Sequence, residues 1–202
     1  VLSDSLIRLG INELRIGTKD YTWLRQGQPV ALYDRDNRLR LNDFNFSSGE
    51  QYIGINGVFS AEPEDSVNYR IDGVELQRLS DVINGRINFS GLLNGNFTTR
   101  SLTRIPSIQG DISIERFMLN EQIAGDLRLN STYNQDLDRF DTRITVLTDS
   151  SKYPAYFENN DRKGLDFEID GYVRAPGSIE ELSATDSLYA FDVNFRNIDM
   201  WI

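Results

Sequence analysis

GRINFSGLLNGNFTTRSLTRIPSIQGDISIERFMLNEQIAGDLRLNSTY, residues 85–133, carries the pattern that decides the fold. Apolar side chains recur at every second position. Ile87 and Phe89 share one parity, then Ile108, Ile112 and Ile114, then Ile123, Leu127 and Leu129. Arg, Asn, Asp, Glu and Ser fill the opposite parity. A period of two puts the apolar set on one face of a strand and the polar set on the other. Each run ends in Asn, Gly or Ser, which turn a chain at low cost. The expectation is an antiparallel meander with one apolar face.

The same pattern extends outward in both directions. Upstream, short strands are expected at Leu9/Ile11, Leu14/Ile16, Tyr21/Trp23 and Val30/Leu32. Leu39, Leu41, Phe44 and Phe46 follow, and their parity slips by one between Leu41 and Phe44, which predicts a bulge near Asn42–Asp43. Ile53, Ile55 and Phe59 form the next run, then Tyr69 and Ile71. Downstream come Phe140, Ile144 and Val146, then Leu165, Phe167, Ile169 and Val173, then Tyr189, Phe191, Val193 and Phe195. Residues 74–83 break the pattern. Leu76, Leu79 and Ile83 are spaced three and four apart, which predicts a short helix closed by Asn84-Gly85. The chain therefore reads as one all-β segment over 1–202, in approximate modules 1–84 and 85–202.

Gly57, Gly73, Gly91, Gly110, Gly125 and Gly171 share the parity of the apolar residues beside them. Glycine inside a strand marks a bend, a bulge or a close backbone approach. Those at 57, 91, 110, 125 and 171 are expected to curl the sheet toward its apolar side. The alternative is that they stand at strand ends and start turns.

Composition excludes several functions. The 202 residues carry a net charge of −10, and no basic run appears. That disfavours nucleic acid and anionic membrane surfaces as partners. Without histidine the commonest general base, metal ligand and nucleophile activator are missing, and without cysteine there is no disulfide or thiolate site. Neither an enzyme nor a cofactor or metal site is expected. Asp34/Asp36 and Asp136/Asp138 are D-x-D pairs without the rest of a calcium loop, and read as solvated turns. Residues 148–163 form a long polar loop with an aromatic knot, Tyr153-Pro154-Ala155-Tyr156-Phe157. A start without Met and an end on Asp199-Met200-Trp201-Ile202 lead us to expect an excised piece of a longer chain.

The succession of Ile87-Asn88-Phe89-Ser90-Gly91, Pro106–Ile114 and Met118–Leu129 resembles the repeat of the TamB family of translocation-and-assembly-module proteins, in the AsmA-like superfamily. Trp23, Leu39–Phe46, Ser47-Ser48-Gly49 and Ile53–Phe59 resemble the preceding module. The similarity spans most of residues 20–175, in motifs that are each degenerate; the loop around Tyr153 departs from it, and the family's membrane anchor and C-terminal end are missing. The resemblance implies an elongated, strongly curved antiparallel sheet, a U-shaped trough or β-taco. It also implies an inner-membrane-anchored protein of the periplasm in diderm bacteria, moving phospholipid toward the outer membrane with a BamA-like barrel protein. The apolar residues from Leu39 to Val193 would then line a lipid groove about 58 Å long over about 12 strands.

Such a groove has a physical logic. A 16-carbon acyl chain needs a dry surface worth more than roughly 10 kcal/mol, at about 0.8 kcal/mol per CH₂. Alternation alone is met equally by a closed sandwich core, the simpler reading without the resemblance. The alternative function is a surface adhesin or carbohydrate-binding module that stacks sugars on Tyr21, Trp23, Tyr153, Tyr156 and Phe157. The free sheet edges of such a segment also invite edge-to-edge self-association.

Overall fold

Twelve strands form where the alternation runs: β1 (Ile7–Gly10), β2 (Leu24–Gln26), β3 (Val30–Tyr33), β4 (Leu39–Ser48), β5 (Gln51–Phe59), β6 (Ser66–Glu75), β7 (Phe89–Arg100), β8 (Ser107–Leu119), β9 (Gln122–Asn134), β10 (Arg139–Leu147), β11 (Asp166–Arg174) and β12 (Tyr189–Asn197). They belong to a computed structural model that describes residues 7–10, 22–77, 88–100, 107–120, 122–152, 154, 158, 166–175 and 187–197. All pair antiparallel in one sheet, ordered β1-β3-β4 and then sequentially to β12, and the sheet is not closed. The first half of β4 pairs β3, and its second half pairs β2. β6 pairs β7 across the boundary between the two expected modules, so the sheet is continuous there.

The bulge expected near Asn42–Asp43 is present. The β4–β5 register shifts between Leu41 and Phe44, and Asp43 has φ 57°. The same device recurs on alternate strands. β6 shifts between Ile71 and Val74 with Gly73 at φ 62°, and β8 between Ile114 and Phe117 with Arg116 at φ 52°. Each left-handed residue turns its N–H out of the ladder, and the next strand supplies an acceptor. Asp43 donates to Asn56 Oδ1 at 2.8 Å, Gly73 to Asn94 Oδ1 at 2.8 Å, and Arg116 to Asp126 Oδ1 at 3.0 Å. An extra residue that keeps its amide satisfied adds local twist without losing a hydrogen bond. Asn94→Ala removes one acceptor, and chemical denaturation should show a loss of about 1 kcal/mol. An unchanged midpoint would mean that the acceptor contributes nothing.

The helix expected over 74–83 is corrected at its start. Val74 and Glu75 close β6, because the Gly73 bulge lets the strand run on to pair with Leu93 and Leu92. Leu76 and Gln77 have helical backbone, and 78–83 lie outside the described residues. The β3 register corrects a second reading. Ala31 and Tyr33 pair with Leu41 and Leu39 on the apolar side, while Val30 and Leu32 pair with Asn42 and Arg40. Strands expected at Leu14/Ile16, and the partners Ile11 and Tyr21, lie outside the described residues.

Candidate functional site

The register stacks apolar residues in rows that cross the sheet. One row runs Phe46–Ile53–Ile71–Gly95 over β4 to β7 and continues Ile112–Leu129–Ile144–Ile169–Val193 over β8 to β12. It contains no polar side chain from end to end. A second row joins Val74 and Leu93 to Ile114, Leu127, Val146, Phe167 and Phe195. A third, on the other flank, begins Phe44–Ile55–Tyr69–Phe97 and ends on Phe191. Its middle is small: Gly110, Ser131, Thr142 and Gly171. Ser131 and Thr142 satisfy each other, hydroxyl to hydroxyl, at 2.9 Å. Leu41, with Leu39 and Phe59 beside it, lies in a further row through Gly57, Val67, Thr99 and Ile108, and Val173 pairs with Phe140.

Most residues expected to line a groove are thereby brought onto one face. Ile123 departs from it. It pairs with Met118, and Met118 with Ser90, on the side of Leu92. β9 advances two residues there while β8 advances one, which reverses Ile123; β7 carries no extra residue, so Phe89 keeps the parity of Leu93. Ile87 lies outside the described residues.

The face is neither sealed nor bare. Ile53, Ile112, Leu129, Ile144 and Ile169 are half-buried. At the β4–β7 end Trp23, 1% exposed, packs with Phe46 and Val74, and Phe44, Ile53, Ile71 and Leu93 close around them. The ring of Tyr69 stacks on that of Phe97 with centroids 4.6 Å apart. At the other end cover is lost, and Val193 on β12 is 50% exposed. The chain exposes 13356 Å², where a compact domain of this length exposes roughly 9,700 Å². Sequence reasoning did not separate Trp23 from the other aromatics. Its signal was the position just before a strand too short to bury itself.

The glycines of this face have unusual backbones. Gly57, Gly91, Gly110 and Gly125 have φ of 138°, 138°, 127° and 116°, a region essentially confined to glycine. A Cβ on Gly110 would lie 2.4 Å from the Asn96 carbonyl oxygen, and one on Gly57 2.1 Å from that of Ser66. Gly171 meets the Ala190 carbonyl at 2.2 Å in the same way. Neighbouring backbone occupies the space a side chain would take. Gly73 differs: it holds the β6 bulge, with open space around it.

The opposite face holds the charge. Arg143 bridges Asp170 at 2.5 Å and Glu168 at 3.2 Å, and the hydrogen bond to Asp170 raises its pKa first, the two negative charges second. Arg139 pairs with Asp141 at 2.6 Å and lies over the ring of Tyr172. Lys152 is raised by its hydrogen bond to Asp126, which ties the turn after β10 to β9. An open hollow of about 510 Å³ lies among Arg139, Asp141, Arg143, Asp170, Tyr172 and Asp192. The Asp34 turn is closed by its own chain, since Asp34 Oδ1 accepts the N–H groups of Asp36 and Arg38 at 3.0 Å each. Among the described residues no group of three or more acidic side chains could hold a metal ion. Comparison with family models, curated proteins and solved structures finds no match to this chain.

Proposed function

We propose that the apolar face binds phospholipid acyl chains, as a segment of a lipid-transfer conduit between the inner and outer membranes. The observation that carries this is the uninterrupted apolar row from Phe46 to Val193. It spans β4 to β12, which is about 38 Å at about 4.8 Å per strand, and its middle residues are half-buried rather than sealed beneath a second layer. A closed core of this breadth would hold these side chains almost fully out of water. An acyl chain laid across Ile112, Leu129 and Ile144 would bury apolar surface that now meets solvent, at about 0.8 kcal/mol per CH₂.

In this reading the glycines bend the sheet. Gly57, Gly110 and Gly171 let adjacent backbone approach on the apolar side, and the small middle of the third row leaves room for the face to turn inward. The curved trough, the periplasmic location and a BamA-like partner rest on the resemblance to TamB proteins. Of the aromatics in the sugar-stacking alternative, Trp23 is buried with Phe46 and Val74, and Tyr21, Tyr153, Tyr156 and Phe157 lie outside the described residues.

The test is native mass spectrometry of the purified chain, beside Leu129→Arg, Ile112→Arg and Ile144→Arg. The parent chain should carry phospholipid. Each variant should stay folded, its long side chain lifting the charge toward water, and lose most of that lipid. Wholesale unfolding of all three would make the face a closed core. Retention of lipid by folded variants would overturn the binding surface.

A further inference from the structure

The outer edge of β12 is built to take another strand. Arg174 donates its N–H to the Leu188 carbonyl at 2.9 Å, so residue 188 faces β11. Backbone groups of an antiparallel strand alternate in direction. Those of Tyr189, Phe191, Val193 and Phe195 therefore point away from β11, and no described strand lies beyond them. These residues also carry the apolar side chains, which are 66%, 43%, 50% and 57% exposed. Protected edges carry charged side chains, lysine above all, or proline, an inward charge or a central bulge. β12 has no lysine or proline, its two charges, Asp192 and Arg196, stand on the polar side, and its register shift lies at the end, opposite Asp166/Phe167. The edge at β1 is only four residues long.

We propose that two copies of this chain join through β12, antiparallel, with Val193 opposite Val193 on a twofold axis. The strand runs from residue 189 to 197, so this axis alone uses its whole length. Phe191 then faces Phe195 of the second copy, and the long apolar row continues through Val193 into the second sheet. On the polar side Asp192 faces Asn194, and Ala190 faces Arg196. Arg196 keeps its bridge to Glu168 at 3.0 Å. A shift of the axis to residue 192 would oppose two aspartates directly, which is destabilising. A shift to 194 would pair Asp192 with Arg196 but shorten the overlap and compete with Glu168.

The chain has no cysteine, so introduced ones report the register cleanly. Asp192→Cys and Asn194→Cys chains should form disulfide-linked dimers when mixed and oxidised, and neither should do so alone. Val193→Pro removes only an outward N–H, since that group makes no bond to β11. By analytical ultracentrifugation the parent should reversibly dimerise, and Val193→Pro should weaken the dimer by about 30-fold, the loss of two symmetry-related hydrogen bonds. Circular dichroism of Val193→Pro should match the parent. A parent that stays monomeric at high concentration, an undiminished Val193→Pro dimer, or cross-links between like chains would overturn the proposal.

Discussion

Gly110→Val should destabilise the domain by about 4 kcal/mol or more, of which roughly 1–3 is backbone strain at a glycine-only conformation. Gly110 has φ 127°, and its Cβ would stand 2.4 Å from the Asn96 carbonyl oxygen and 2.7 Å from Phe97 Cα. Both are backbone atoms of β7, held by the ladder with β6 on the far side. Neither can move without breaking pairs there. For a chain of this length the change corresponds to a fall in Tm of roughly 8–16 °C. Gly10→Ala is the control. Its Cβ meets nothing within 4 Å and its backbone is ordinary, so the thermal midpoint should hardly move. Equal behaviour of the two variants would mean that the close approach at Gly110 has no energetic consequence.

Trp23→Ala should cost about 3–5 kcal/mol by chemical denaturation, the usual penalty for emptying a site that large. Trp23 is among the largest fully buried side chains, and its cluster with Phe46 and Val74 joins β4 to β6 and β7 through the intervening Ile53. The substitution should also extend the open apolar surface toward β4, so more of an environment-sensitive hydrophobic dye should bind the folded variant. Trp23→Phe should recover much of the stability, because the ring still covers Phe46. A small stability loss with no added dye binding would show that the rest of the cluster closes the face without Trp23.

The antiparallel meander, the side on which Ile112, Leu127 and Ile144 lie, and the bulge at Asp43 were all legible in the sequence. Alternation reports parity directly, and a slipped parity reports an inserted residue. What escaped was the consequence of bulges that sit beside glycine. Ile71-Asp72-Gly73-Val74 reads as a strand ending at a turn, yet Gly73 takes the left-handed conformation and the strand resumes. The helical spacing of Leu76, Leu79 and Ile83 was therefore extended back over two residues of β6. Ile123 was misplaced for a related reason, since the shift beside Gly125 inserts a residue into β9 and reverses its side while the sequence spacing stays even. Trp23 was unreadable as a plug, because which aromatic covers a face depends on how β2 docks on β4, a contact that carries no local signal.

Site-specific photocrosslinking in cells tests the central claim most directly. A benzophenone side chain would replace Leu129 or Ile144 on the apolar row, and separately Arg128 or Arg143 on the charged face. Illumination followed by mass spectrometry of the purified protein should find phospholipid joined at 129 and 144, and little at 128 and 143. Equal lipid adducts on both faces, or none on the apolar face, would contradict an acyl-chain-binding surface.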